Sequence, residues 1–450
     1  MKNSQFIGQF FAFMALACFS CMSSNENTRP VPRAGVDESS AYQVSVNDMK
    51  VFTAHEPCYG DTIFATAICE IDGKSTIRIN FKEQISSYSI KPKSKAIAGW
   101  LEHNTLTFEI DKPQMLLVEI NHEKPLLLAL LPLEHHQPDP ESADVMWFGP
   151  GIHEPGPIYP TDGQTIYLAP GALVKGRIYG DGVKNVKVTG RGILDARGYT
   201  SKPDKICAIE FKNSDHIAIE GIGLRAGAWW QTLFVKCNDV SVGWMHLLSF
   251  GLNNDGIDID GVTDFRAHDC FIGCGDDGFG WHAVNAEANG EPPTKNCLAE
   301  NCVIYNVHAG NGLRVGASME TTLFRNIVFK NIDVLHHANA GIRSDHSDWA
   351  LCEEIVFEHF YIEKPGRPIE IRIEKTRYSN DTGYRDERGH INGLYFKYVT
   401  ANGGEVVLEG YDDNHLIENV HFIQCLNDGI PLDDISKIKV NNFVKNVVFE

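Results

Sequence analysis

The sequence predicts an all-β chain: a small β-sandwich followed by a right-handed parallel β-helix. Three observations carry that expectation. Short runs of alternating apolar and polar residues fill the first third of the chain, as in Thr76-Ile77-Arg78-Ile79-Asn80-Phe81 and Thr105-Leu106-Thr107-Phe108-Glu109-Ile110. No long stretch keeps the 3.6-residue period of a helix. A unit of the form polar-apolar-x-apolar then recurs through the remainder.

The elements follow in chain order. Met1-Lys2-Asn3 precedes an uncharged apolar run from Phe6 to Phe19, too short to span a bilayer comfortably at about 20 apolar residues. A cationic start, a short apolar core and small residues after it describe a secretory leader over residues 1–21. Ala15-Leu16-Ala17-Cys18 and Cys18-Phe19-Ser20-Cys21 both resemble a bacterial lipoprotein box. The expectation is export to the periplasm or cell surface, with membrane attachment only through lipid on Cys18 or Cys21. Residues 22–40, rich in Ser, Asn, Pro and Arg, read as a flexible tether. Alternating runs over 41–134 give strands with one buried face, as in a sandwich. The polar segment around 135–143 reads as a linker.

From residue 144 to 450 the repeat takes over. Lys184-Asn185-Val186-Lys187-Val188 is followed by Asp215-His216-Ile217-Ala218-Ile219, then by Asn238-Asp239-Val240-Ser241-Val242. Related units begin at Asn326, Glu354 and Asn446. Successive anchors lie 31 residues apart (Val186 to Ile217) and then 23 (Ile217 to Val240). Such a period, with two or three short strands per turn, describes a coil of a parallel β-helix, each strand stacking on its equivalent in the next coil. The LxxLxL spacing of leucine-rich repeats is missing.

Composition narrows the function. The 450 residues carry 40 Lys and Arg against 59 Asp and Glu, a formal charge of −19. That argues against nucleic acid and against electrostatic attachment to an anionic membrane, since both need a basic footprint. At 43% hydrophobic residues the chain is too apolar for dominant disorder. Twelve cysteines are too few for a disulfide scaffold of this length. Cys58 and Cys69 are close enough in sequence to bridge a hairpin, whereas Cys270, Cys274, Cys297 and Cys302 read as small apolar groups in stacked strands. No pair of CxxC motifs points to zinc. No metal and no cofactor is expected.

One region of the repeats carries charge: Asn253-Asn254-Asp255-Gly256-Ile257-Asp258-Ile259-Asp260, then Gly275-Asp276-Asp277-Gly278. Asp255 and Asp276 are 21 residues apart, close to one coil, so three carboxylates from two coils can share a patch. Neighbouring carboxylates repel, which raises one pKa while others stay low. A protonated acid beside an ionised base is what glycosidic cleavage requires. Single Asp-Gly pairs are more often solvated turns, or part of a calcium site. Two such segments one coil apart favour the chemical role.

These residues also carry a resemblance. Residues 200–345 resemble glycoside hydrolase family 28, the polygalacturonases. The signature Asn-Thr-Asp-Gly-Ile-Asp matches the segment from Asn253 to Asp258, and the Asp-Asp signature matches Gly275-Asp276-Asp277. The family's Gly-His-Gly-Leu-x-Ile-Gly matches Gly310-Asn311-Gly312-Leu313-Arg314-Val315-Gly316 with Asn for His. Its Arg-Ile-Lys falls at Arg343-Ser344-Asp345, and its aromatic before the first signature corresponds to Trp229-Trp230. Phe148-Gly149-Pro150-Gly151-Ile152 and residues 167–176 resemble the start of the β-helix in family 49, the dextranases, which also carry an N-terminal β-sandwich. The resemblance implies inverting hydrolysis of a carbohydrate, with Asp277 as proton donor and with Asp255 and Asp276 orienting and deprotonating water. Acid and base are then expected roughly 6.5–9.5 Å apart.

The departures bear on substrate. In the polygalacturonase family the lysine of Arg-Ile-Lys pairs with the sugar carboxylate; here the position is Asp345, which would repel it. A second family lysine falls at His282. Losing both argues against polygalacturonate. Arg343 and Arg314 are candidates for sugar contact, though a surface salt bridge explains Arg343 equally well. His282 is a candidate to touch sugar or tune Asp277, or is merely structural. His308 is a candidate replacement for the missing histidine if its loop shifts, and Asn311 can act only by hydrogen bonding. One of Trp229 and Trp230 is expected to line a subsite while its neighbour packs inside. The polar loop 283–294 is placed to wall the cleft. Two other classes compete with hydrolysis: a β-helix polysaccharide lyase or epimerase, and a non-catalytic glycan-binding protein. The mutually repelling aspartates weigh against the latter.

Overall fold

The computed structural model describes residues 27–380 and 383–450. The leader expected over residues 1–21 lies outside the described residues. Among the described residues no helix is long and apolar enough to cross a membrane.

The first layer pair is a β-sandwich. One sheet has seven strands, with Ile63–Ile71 at its centre, and the facing sheet has five, with Ser75–Phe81 at its centre. Alternation in the sequence becomes alternation in burial: Ile77, Ile79 and Phe81 are buried, while Arg78 and Asn80 face outward. Leu106, Phe108, Leu116, Val118, Leu126 and Leu128 fill the space between the sheets. The expected tether is ordered over its described part. Thr28–Pro30 pairs antiparallel with Ile63–Ile71, Asp37–Glu38 pairs with Thr53–Pro57, and the Arg33 side chain is buried against Glu56 at 2.5 Å. Polar composition suggested a solvated segment, but these residues cover the sandwich edge instead.

Cys58 and Cys69, close enough in sequence to bridge a hairpin, are not bonded to each other. All ten described cysteines are free and buried. Cys69 faces the sandwich core, whereas Cys58 follows strand Thr53–Pro57 and packs in the layer beneath the β-helix.

The remaining strands form one 31-stranded sheet wound as a parallel β-helix. Val186 stacks on Ile217, and Ile217 on Val240, as the anchor spacing requires. The polar residue before each anchor has a physical role. Asn185, His216, Asp239, Asn326, Glu354 and Asn446 all adopt φ between 52° and 57°, a left-handed kink in the first few residues of each strand. Inside the coil, Phe329, Phe357, Phe396, Phe422 and Phe449 occupy equivalent positions and stack with centroids 4.9–5.5 Å apart. The sandwich docks on the helix through an apolar layer that includes Phe64 stacked on Phe250 at 5.1 Å. Two buried ion systems cross that junction: Arg225–Glu56–Arg33 and Arg191–Glu70.

Candidate active site

One column of strands presents the chemistry. Ile257 and Ile259 point into the coil, so Asp258 and Asp260 point out, with Asp255 at the preceding turn. Ile257 pairs with Phe279, Phe279 with Leu313, and Leu313 with Ile342. Asp255, Asp277, Asn311 and Ala340 therefore occupy one vertical row; Asp258, Gly280, Arg314 and Arg343 form the next. The coil-to-coil partner of Asp255 is thus Asp277, and Asp276 stands beside it. Glycine is needed at this row's turns because the coils approach so closely: a Cβ on Gly256 would lie 2.3 Å from the Gly278 carbonyl oxygen, and one on Gly278 would lie 2.3 Å from that of Gly312.

These strands floor a cleft of about 1420 Å³, lined by Asp255, Asp276, Asp277, Trp229, Trp230 and Arg314 among others. Asp255, Asp276 and Asp277 each offer an oxygen within 4.8 Å of the others. That is shorter than the roughly 6.5–9.5 Å expected between acid and base for inversion. Their surroundings differ. Burial raises Asp255 well above the ordinary carboxylate range, and the charges of Asp258, Asp276 and Asp277 push the same way. Asp276 is pushed up to about 6 by burial and by Asp277. Burial also raises Asp277, but Arg314 and Asn311 act against it. Asp277 Oδ1 accepts from the Asn311 backbone N–H at 2.8 Å and from its side-chain amide at 2.7 Å, and Arg314 Nη1 lies 3.4 Å from Oδ2.

The cations beside this trio are already occupied. Arg314 donates to both oxygens of Asp345, from Nε at 2.8 Å and from Nη2 at 2.5 Å. Arg343 is held by Glu370 and by Glu374 at 3.2 Å, with Asp345 at 3.6 Å. Asp345 is therefore not the free repelling charge that its position in the sequence implies; its charge is spent on Arg314. Asn311 sits where the missing histidine was sought. It holds Asp277 and also accepts from the Ala340 N–H at 3.1 Å.

Other expectations are revised. His308 is exposed and lies off the cleft lining, because the Ala309 N–H bonds the Gly275 carbonyl and Asn306 bonds the Asp276 carbonyl, fixing that loop. His282 lines the cleft, but its Nε2 faces Asp258 Oδ1 at 3.4 Å rather than Asp277. Trp229 and Trp230 both line the cleft, and neither is packed inside. They lie in a turn rather than a strand, so alternation does not apply, and their rings stack at 5.8 Å. Trp230 also stacks on His282 at 5.4 Å. From the loop 283–294, Val284, Asn289 and Glu291 reach the lining.

Two residues escaped the sequence reading. Asn254 is wholly buried: its amide donates to the Gly227 and Trp229 carbonyls at 2.7 and 2.6 Å, tying the tryptophan turn to the Asp255 segment. Asp258 is also wholly buried. Its signal was visible as an acidic residue inserted between Ile257 and Ile259 on a strand with a buried inner face.

No family model matches the sequence. Exopolygalacturonase B of Aspergillus niger is 24% identical over 186 residues, which is 36% of this chain and 39% of that protein. The dextranase of Arthrobacter sp. is 39% identical over 69 residues, 14% of this chain and 11% of that protein. The chain resembles exopolygalacturonases and dextranases. It spans about two fifths of the length of the exopolygalacturonase that it matches. Among solved structures, an exopolygalacturonase from Thermotoga maritima superposes with a TM-score of 0.55 at 18% identity, covering 68% of this chain and 83% of that one. Dex49A from Penicillium minioluteum superposes with a TM-score of 0.61 at 12% identity, covering 94% and 96%. At such identities these two structures show the shared fold.

Proposed function

We propose that the chain is a glycoside hydrolase acting on a neutral polysaccharide or oligosaccharide. The observation that carries this reading is the trio Asp255, Asp276 and Asp277, with oxygens within 4.8 Å of one another in a cleft beside two tryptophans. Tryptophan faces suit the C–H faces of sugar rings, and a crowded carboxylate group supplies both an acid and a base.

The surroundings favour moving the proton from Asp277 to Asp276. Asp277 is gripped by Asn311 and Arg314, donors that favour its ionised form. Asp276 is the least enclosed of the three, and at about 6 it holds its proton into mildly acidic solution. In this reading Asp276 protonates the leaving oxygen, Asp277 deprotonates water, and Asp255, whose burial favours its neutral form, helps to orient that water. The short spacing puts that water beside the Asp255–Asp277 pair. Activity then falls as pH rises past about 6, because the acid loses its proton.

Next to the trio a neutral sugar is favoured because Arg314 and Arg343 are both ion-paired within the protein, while Lys205 and Arg377 line the same cleft against the Trp229 and Tyr378 rings without a carboxylate partner among the described residues. The leader expected over residues 1–21 fits an enzyme working outside the cytoplasm, which cell fractionation tests. The deciding experiment measures new reducing ends on dextran, galacturonan and other glycans, using wild type and Asp276→Asn. Cleavage of a neutral glycan, lost in the variant, supports the reading. Preferential cleavage of galacturonan overturns the substrate class, and a fully active variant overturns the acid. The anomer released first, followed by NMR, tests inversion.

A further inference from the structure

Immediately beside the trio, buried polar atoms lack partners. Both carboxylate oxygens of Asp258, His282 Nε2 and Asp255 Oδ1 have no hydrogen-bond partner among the described residues. Asp258 is fully buried, His282 is 6% exposed and Asp255 4%. Leaving such groups unpartnered away from water is costly, so native structures rarely do so. A single proton on Asp258 directed at His282 would leave the second Asp258 oxygen and Asp255 Oδ1 without partners. A cation between the three side chains would serve all of them.

We propose that Asp255, Asp258 and His282 form a binding site for one divalent transition-metal ion, zinc foremost. One ligand atom from each lies within 4.8 Å of the others. His282 Nε2 and Asp258 Oδ1 are 3.4 Å apart, close to the edge of a tetrahedron of ligands about 2.0–2.2 Å from a zinc ion. The donor set selects the metal class: an imidazole favours zinc and its neighbours, whereas calcium and magnesium take oxygen ligands.

The surroundings are those of a prepared site. The His282 ring donates a hydrogen bond to the Gly316 backbone carbonyl, leaving Nε2 free to ligate. Trp230 stacks on that ring at 5.4 Å and fixes its plane. Gly280 makes room for Asp258, since a Cβ there would stand 2.0 Å from Asp258 Oδ1. Sharing Asp255 places the ion at the edge of the cleft, where a water or sugar hydroxyl can complete its coordination. Metal binding does not depend on the hydrolase reading, and its test does not use activity.

The test uses the full chain purified without a histidine tag and stripped with chelator. Zinc, manganese and calcium are titrated by calorimetry, and cobalt by visible absorption. The expected result is one equivalent of zinc, a cobalt spectrum of low coordination number and markedly weaker calcium binding. Asp258→Asn and His282→Gln should each weaken zinc at least about 100-fold, with far-ultraviolet circular dichroism unchanged, whereas Glu83→Gln on the exposed sandwich surface should not. Absence of stoichiometric zinc uptake by the wild type overturns the proposal. So does undiminished uptake by a folded Asp258→Asn/His282→Gln double variant.

Discussion

Glu56 and Asp258 are both buried carboxylates, but their surroundings are opposite. Glu56, at the junction of sandwich and helix, meets Arg33 at 2.5 Å and Arg225 at 3.2 Å, which hold it well below the usual carboxylate range despite its burial. Asp258, buried beside the cleft's trio, meets other carboxylates and an imidazole, and burial with the charges of Asp277 and Asp276 raises it well above that range. Satisfied charge at the junction fixes two domains together. A buried carboxyl group without a hydrogen-bond partner is a cost that folding alone does not explain, and such costs concentrate where chemistry or binding occurs.

The largest effect that separates the regions is catalytic. Asp276→Asn should lower kcat by about 10²–10⁴-fold, the contribution typical of a general acid, while the melting temperature changes little or rises. Steady-state kinetics and a thermal melt on the same preparation check both halves. A large loss of stability would place Asp276 with the structural charges instead.

Glu56→Gln should do the reverse. It leaves Arg33 and Arg225 buried with reduced compensation, and removing one partner of a buried ion pair costs about 3–5 kcal/mol. Denaturant unfolding reads this directly. The pH sign follows from the lowered Glu56. Its contribution is fully present above its unfolded pKa of about 4.3 and is lost as pH falls toward the folded value. Wild type should therefore lose stability in acid more steeply than Glu56→Gln.

A smaller effect tests the packing of the cleft floor. Gly280→Ala places a methyl group where Asp258 Oδ1 now stands, 2.0 Å away. Overpacking of this kind costs about 1–3 kcal/mol, and the displaced carboxylate should carry its disturbance to the neighbouring His282. A chemical-shift change at the His282 ring in a histidine-labelled sample checks that. The equivalent Gly→Ala change at exposed Gly198, where a Cβ meets nothing and the backbone is not left-handed, controls for placing a methyl group in open space.

Much of this division was legible in the sequence. Coil spacing brought Asp255, Asp276 and Asp277 together, and the polar residues before the anchors marked the left-handed kink of each coil. Yet a spacing of about one coil cannot say which residue sits above which, so the stack of Asp255 on Asp277 appears only with the register. The two tryptophans were misplaced because alternation holds on strands and they sit in a turn. Asp345 looked like a free anion because its partner, Arg314, lies 31 residues away and one coil below. Asp258 passed as part of a motif because its lack of partners is a property of space, not of spacing.

That lack of partners yields the smallest and most discriminating prediction. In chelator-treated protein, Asp258→Asn removes a carboxyl group that is buried without a described hydrogen-bond donor, so stability should rise by about 0.5–2 kcal/mol, as when a functional site is relieved of strain. With zinc present the order should reverse, because only the wild type gains the binding energy of the ion. Glu56→Gln should be destabilised equally with and without zinc. If Asp258→Asn lowers stability in the stripped protein, then Asp258 is held as Glu56 is held, and the contrast between junction and cleft fails.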